Sequence, residues 1–312
     1  MKIGLDIMGG DFAPEANVSG AILANKELPQ DTSIVLFGDQ DVVREKLVEL
    51  GGNPDDFEIV HAPDVITMHD HPTRAIPQKP NSTISKGFDL LASGEIQAFA
   101  STGNTGAMLV GAIYKVNAVP GIIRPCITST IPNIKGGNSL ILDVGANADC
   151  KPDVLYQFAI LGSMYAKEVY GIENPKVGLL NIGEEETKGN LLTQSAFKLM
   201  QDTTDFNFTG NIEGRDIFTG KVDVIVCDGF TGNVVLKQAE GLFGLMQKRG
   251  LRDEYFDRFN YENYGGTPIL GVNSNVIIGH GISNDIAVKN MLLHSYDVTK
   301  SKLTDKIKEA IN

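Results

Sequence analysis

Two short stretches carry residues whose types and spacing could do chemistry. In Gly183–Asn190 (GEEETKGN), Lys188 stands between Thr187 and Gly189, just past the apolar run Lys176–Ile182. A flexible cation in a glycine turn at the carboxyl end of a strand suits a phosphate; a solvated lysine fits the same spacing. In Lys221–Glu240 (KVDVIVCDGFTGNVVLKQAE), the β-branched run Val222–Val226 breaks at Asp228-Gly229-Phe230-Thr231-Gly232-Asn233. It resumes with Val234, Val235, Ala239, Leu242, Leu245 and Met246 mostly on one helical face. That pattern predicts a buried strand, a glycine turn and an amphipathic helix. Thr231, Gly232 and Asn233 are then expected at a helix N-terminus, where free N–H groups favour a phosphate or a developing oxyanion.

Other turns repeat the design. Lys2–Met8 reads as a first strand ending in Gly9-Gly10-Asp11, so Asp6 and Asp11 flank a glycine turn, either as ligand-facing groups or as plain caps. Ala98–Ser101 leads through Thr102-Gly103-Asn104-Thr105-Gly106 into a helix, and Leu140–Val144 ends in Gly145-Ala146-Asn147. Lys79-Pro80-Asn81-Ser82-Thr83 opens another helix with a lysine and two hydroxyls, which suit phosphate binding and N-capping equally. Val276–Ile278 ends in Gly279-His280-Gly281, with Ser283 expected to cap the last major helix. Nothing predicts a metal. His69 and His71 lack a third ligand, and Glu184–Glu186 are explained by a helix dipole and solvent.

Stepping along the chain, further strands are expected at 33–37, 57–60, 127–131 and 206–209, with an irregular segment over 61–80. The runs at 127–131 and 140–144 flank Gly136-Gly137 and predict an antiparallel pair. Strands alternate with helices elsewhere, which predicts one mostly parallel sheet covered on both faces. Glycine turns gathered along its carboxyl edge would form a cleft of N–H groups, asparagines and a few charges.

Totals exclude several classes. The 312 residues carry a net charge of -12, which argues against nucleic acid as main partner. Three widely spaced cysteines fit a reducing cytosol without disulfides, and no apolar run reaches the length of a membrane span. A signal peptide is not expected, because Met1 leads directly into a strand. No GxSxG elbow, Walker loop or GxGxxG signature occurs, and Cys227 reads as a core thiol. The chemistry expected is therefore positioning plus electrostatics, on a substrate that brings its own nucleophile, as inorganic phosphate would.

Eight segments in register carry a family resemblance. MGGD (Met8–Asp11), STGNTGA (Ser101–Ala107), LDVGAN (Leu142–Asn147) and LLNIGEEETKGN (Leu179–Asn190) are followed by GNIEGRD (Gly210–Asp216), CDGFTGNVVLK (Cys227–Lys237), YGGTPILG (Tyr264–Gly271) and IGHGIS (Ile278–Ser283). Together they resemble the bacterial phosphate acyltransferase of phospholipid synthesis. The resemblance implies a three-layer α/β/α Rossmann-like fold akin to the phosphate acetyltransferases and the isocitrate dehydrogenase group, spanning the chain as one domain. It implies transfer of a fatty acyl group from acyl carrier protein to inorganic phosphate. The acyl phosphate would then feed a membrane glycerol 3-phosphate acyltransferase. It further implies a cytoplasmic homodimer without metal, nucleotide or other cofactor.

Matched residue by residue, the resemblance places Lys188 and Asn233 at the catalytic positions. It places Asp6, Gly10, Lys79, Ser82, Asn104, Thr105, Gly106, Asn147, Gly189, Asn190, Glu213, Arg215, Asp228, Thr231, Gly232 and His280 around the substrate. The segment around 242–263 is roughly a score of residues shorter than the resemblance leads one to expect. In relatives it carries an amphipathic helical pair thought to touch the membrane, and with the segment shortened, peripheral membrane association stays an open alternative. Tyr255, Phe256, Arg258 and Phe259 remain as a candidate docking patch for an acidic carrier protein, or as a solvated helix and loop. Competing readings are a phosphate acetyl- or butyryltransferase using coenzyme A, a dehydrogenase on the related fold, and a scaffold that binds carrier protein without turnover.

Overall fold

Strands that are apolar on both faces need helices to cover them, and the chain answers with an α/β fold. The computed structural model describes residues 1–311. The chain divides into two compact units, Met1–Ala118 with Tyr261–Thr304, and Val119–Asn260 with Asp305–Asn312.

In the first unit, β1 (Lys2–Asp6), β2 (Ser33–Gly38), β3 (Glu58–His61), β4 (Ala98–Ser101), β10 (Gly266–Leu270) and β11 (Asn275–Gly279) lie in the order β3-β2-β1-β4-β11-β10. All neighbours are parallel except β10 with β11. Its helices are α1 (Glu15–Glu27), α2 (Gln40–Glu49), α3 (Pro72–Gln78), α4 (Thr83–Ser93), α5 (Thr105–Gly111) and α10 (Asp285–Lys300). Fully buried Phe99 stands edge-on to Phe37 and Phe88, with ring centroids 5.5 and 5.3 Å apart.

In the second unit, β5 (Cys126–Pro132), β6 (Asn138–Leu142), β7 (Lys176–Asn181), β8 (Asn207–Glu213) and β9 (Val224–Val226) lie in the order β5-β6-β9-β7-β8. The β5–β6 pair is antiparallel, as expected, and β6, β9, β7 and β8 run parallel to one another. Its helices are α6 (Pro152–Tyr170), α7 (Leu191–Met200), α8 (Gly229–Lys248) and α9 (Glu254–Asp257), and α11 (Leu303–Ile311) ends the described chain. Leu142 and Leu179 both pair with Val226, so the turns leaving β6, β9 and β7 emerge side by side on one sheet edge.

Several expectations need correcting. The segment 61–80 is not wholly irregular: Pro72 opens α3, its fixed φ suiting the first helical position. β10 was not expected, because Pro268 argues against a strand; it pairs antiparallel with β11, with Pro268 opposite Ile277. The strand before the 228–233 turn is three residues, Val224–Val226, while β8 runs on from Asn207 to Glu213. Asn284, not Ser283, caps α10, accepting from Ala287 N. α10 continues to Lys300, and a separate short helix, α11, starts at Leu303.

One glycine of the first unit yields a direct test. A Cβ on Gly87 in α4 would lie 2.1 Å from Phe99 Cε2, inside a packed aromatic cluster. Gly87→Ala should therefore destabilise despite alanine's better helix propensity, by about 1–3 kcal/mol. Urea unfolding measures this, and an unchanged midpoint would contradict the packing.

Candidate active site

The second unit's sheet edge is built around a buried carboxylate. Asp143 follows β6 and is fully buried. Its Oδ1 accepts from Ile127 N at 2.9 Å and Ala146 N at 3.3 Å. Its Oδ2 accepts from Asn147 N at 2.6 Å and Asn147 Nδ2 at 3.0 Å. Burial raises the Asp143 pKa, and these N–H groups oppose the rise. The bonds fold the chain tightly at 143–147, and the start of α8 packs against that fold. Gly229 N donates to Asn147 O at 2.8 Å. A Cβ on Gly232 would lie 2.0 Å from Asp143 O, so only glycine fits.

This seat revises the expected anion turn. Asp228 itself caps α8: its Oδ1 accepts from Thr231 N and its Oδ2 from Thr231 Oγ1, both at 2.8 Å. Gly232 N donates to Asp228 O. The first-turn N–H groups of Gly229, Thr231 and Gly232 are thus taken by protein acceptors, with a carboxylate already at the helix end. A second anion there would meet charge repulsion. Asn233 lies one step further along, exposed beside Gly145, and its amide has no protein partner among the described residues.

The neighbouring turn, after β7, presents Lys188. Its side chain is exposed, and Nζ makes no ion pair or hydrogen bond among the described residues. Gly189 has φ +94°, the left-handed region, and a Cβ there would meet Thr193 Oγ1 at 2.1 Å. Asn190 caps α7 by accepting from Thr193 N. The nearby glutamates do not take Lys188. Glu184 and Asp216 pair with Lys221, and Glu213 pairs with Arg215. Exposed apolar side chains flank both residues in sequence: Ile182, 80% exposed, and Leu191, 84%, near Lys188, and Phe230, 66%, near Asn233.

Of the residues expected in this unit, Asn147, Asn190, Glu213, Arg215, Asp228 and Thr231 all have protein partners, while Lys188 and Asn233 do not. Burial raises Cys126 and Cys227 well above the usual thiol range, and burial with the charges of Asp143 and Asp228 pushes Cys150 up to about 11. The carrier-docking patch is committed inward: Arg258 donates to Asn133 O, Gly137 O and Asn138 Oδ1, and Tyr255 to Pro132 O.

In the first unit the expected residues are largely structural. Asp6 is buried and accepts from Ser101 Oγ at 2.7 Å and Met8 N at 3.0 Å, with burial raising its pKa. Asn104 caps α5 through Ala107 N and donates to Thr67 O and Asp70 O. Ser82, fully buried, caps α4 through Ser85 N. Gly106 packs against Pro72, and Gly10, at φ +92°, against Thr102. His280 lies against the Tyr261 ring, and Thr105 Oγ1 is exposed without a protein partner among the described residues. Lys79 is paired with Asp70 at 2.7 Å. No group of three His, Cys, Asp or Glu among the described residues is placed to hold a metal ion, and no described helix is long and apolar enough to cross a membrane.

Sequence reasoning passed over Asp143, although a carboxylate at the end of the run SLILDVG was a visible signal. It also passed over Asn181, Gln194 and Asn211, which hydrogen-bond the backbone of the Lys188 turn.

Two tests follow. Asp143→Ala would strand four N–H groups and should lower stability on the order of 3 kcal/mol or more by urea unfolding. The Lys79 ammonium, with the Thr67 N–H and hydroxyl, holds the Asp70 carboxyl down from 3.8 to about 2. A depressed carboxyl contributes stability that is complete above 3.8 and lost as pH falls through 2. Thermal melts should therefore show wild type losing its advantage over Asp70→Asn across that window, and a constant difference would contradict the pairing.

The chain matches the family described as "Fatty acid synthesis protein" over residues 1–254. It is 42% identical to the phosphate acyltransferase of Dictyoglomus turgidum, covering 100% of this chain and 98% of that one. The phosphate acyltransferase of Clostridioides difficile is 40% identical, with coverage of 100% and 96%. Each alignment spans 332 positions against 312 residues here, leaving about 20 without a counterpart in this chain. Among solved structures, a phosphotransacetylase from Staphylococcus aureus gives a TM-score of 0.63 at 16% identity, covering 96% of this chain and 94% of that one. A branched-chain phosphotransacylase from Enterococcus faecalis gives 0.65 at 14%, covering 96% and 99%. These two establish the α/β fold alone. The identity to curated relatives, sustained over the whole chain, shows that this protein is an acyltransferase of the phosphate acyltransferase family.

Proposed function

We propose that the protein transfers a fatty acyl group from acyl carrier protein to inorganic phosphate, giving acyl phosphate for glycerol 3-phosphate acylation. One observation carries the site assignment. Among the polar residues expected on the second unit's sheet edge, Lys188 and Asn233 present their functional groups without protein partners. A buried or bonded amide serves the fold; a free amide and a free ammonium beside a rigid backbone can serve a substrate.

The reaction needs little else. A phosphate oxygen attacks the thioester carbonyl carbon, forming the C–O bond and a tetrahedral oxyanion. Collapse of that intermediate breaks the C–S bond, and the carrier thiolate leaves and takes a proton from water. Lys188 offsets the charge of the attacking phosphate. The Asn233 amide N–H donates to the oxyanion, a contribution of about 3–4 kcal/mol in well-aligned sites. Asp228, Glu213 and Asp143 are tied up as a helix cap, an ion pair and a buried carboxylate, which lowers their repulsion of phosphate. Ile182, Leu191 and Phe230 offer apolar surface for a long acyl chain.

The proposal extends to a cytoplasmic homodimer that hands acyl phosphate to a membrane acyltransferase. The outward face of α8 supports the dimer: Val234, Leu242 and Leu245 are each more than half exposed. Sedimentation of the full chain tests that part.

Lys188→Ala and Asn233→Ala should fold normally and each lose about 10²–10³ in kcat of phosphate-dependent thioester loss. Near-wild-type turnover in either would remove its role. Matched acyl-carrier and acyl-CoA donors test the substrate, and a large preference for a short acyl-CoA would redirect the proposal to phosphate acetyl- or butyryltransfer.

A further inference from the structure

The turn that presents Lys188 is gripped from behind by three side-chain amides. Asn181 Nδ2, at the end of β7, donates to Lys188 O at 3.1 Å. Gln194 Nε2, from α7, donates to Thr187 O at 2.9 Å and Gly189 O at 3.1 Å. Asn211 Nδ2, from β8, donates to Glu185 O at 3.0 Å. The carbonyls of Thr187, Lys188 and Gly189 are thus each tied to a side chain, and Lys188 N donates to Glu185 O.

This arrangement exceeds what a turn needs in order to exist. A carbonyl on the surface is satisfied by water at little cost, so tying three in succession serves orientation more than stability. A trans peptide sets its N–H opposite its C=O. Holding Lys188 O and Gly189 O against the amides therefore turns the N–H groups of Gly189 and Asn190 away from them. Neither N–H has a protein acceptor among the described residues. Consecutive outward N–H groups make an anion-binding concavity. Asn211 is 4% exposed, and its Oδ1 has no partner. The amide is thus committed through its N–H side alone, to Glu185 O.

We propose that Asn181, Gln194 and Asn211 are positioning residues that hold Lys188 and the adjacent N–H groups in the geometry that receives inorganic phosphate. The proposal rests on the assignment of Lys188 to phosphate made above. The three amides touch no reacting atom. They act through the backbone of the turn, and their loss frees the lysine to sample orientations that do not meet the anion.

The test uses the full chain and steady-state kinetics with inorganic phosphate as the varied substrate. Gln194→Met keeps length and helix propensity and removes both bonds. It should raise KM for phosphate roughly five- to tenfold with a smaller change in kcat. KM for the acyl donor should hold, and so should the melting temperature within a few degrees. Asn181→Ala, whose bond is exposed, should shift KM for phosphate in the same direction and serves if Gln194→Met folds poorly. Gly87→Ala, which loosens packing in the other unit, controls for general destabilisation and should leave KM for phosphate unchanged. An unchanged KM in both amide variants, or an equal rise in Gly87→Ala, overturns the proposal. Failure of the underlying reading is separate: it shows as Lys188→Ala retaining turnover, whatever the amide variants do.

Discussion

A carboxylate without solvent must be met by donors, and at Asp143 four N–H bonds meet it. That constraint organises the second unit's site. The bonds draw residues 143–147 into a tight fold on which the α8 N-terminus rests, with glycines where the backbones touch. Unsatisfied, the carboxylate would cost several kcal/mol. Satisfied, it makes one backbone arrangement far better than its neighbours. Asn233 inherits its position from this arrangement without bonding to any part of it.

The same logic separates scaffold from site. Asparagines recur at the strand ends, and most cap a helix or bind a carbonyl: Asn104, Asn147 and Asn190 are spent in that way. The charges of Lys79, Arg215 and Lys221 are matched by carboxylates. Among the residues expected in the second unit, an amide on α8 and an ammonium on the turn after β7 stay uncommitted. An α/β sheet places such remnants at its carboxyl edge because strand carbonyls end there and helix N–H groups begin. In the reaction proposed above, those remnants hold an anion and donate to an oxyanion.

Much of this was legible in the sequence. The alternation of apolar runs and glycine turns gave the α/β class, and Gly136-Gly137 marked the β5–β6 pair. Lys188 and Asn233 stood out by type and spacing. Less legible was what the other polar residues do. Asp228 reads identically as a cap or as a ligand, and only its bonds to Thr231 decide. Asn181, Gln194 and Asn211 lie 7, 6 and 23 residues from Lys188, and no local pattern announces that their amides meet at one turn. β10 escaped because Pro268, which brings no N–H to a ladder, obscures the strand. Helix starts moved by a residue or two, since several neighbouring polar residues can each cap and tertiary contacts choose among them.

Gly232 carries a consequence of its own. The carbonyl oxygen of Asp143 occupies the space where any side chain would begin. Every missense change at that codon therefore inserts an atom between the two turns. The helix would have to back away, carrying Asn233, the very next residue, with it. Injury to the site at this position needs no change in charge, polarity or hydrogen bonding. The aim of the amide is encoded in an absent methyl group, and a search for chemically active residues alone would pass it by.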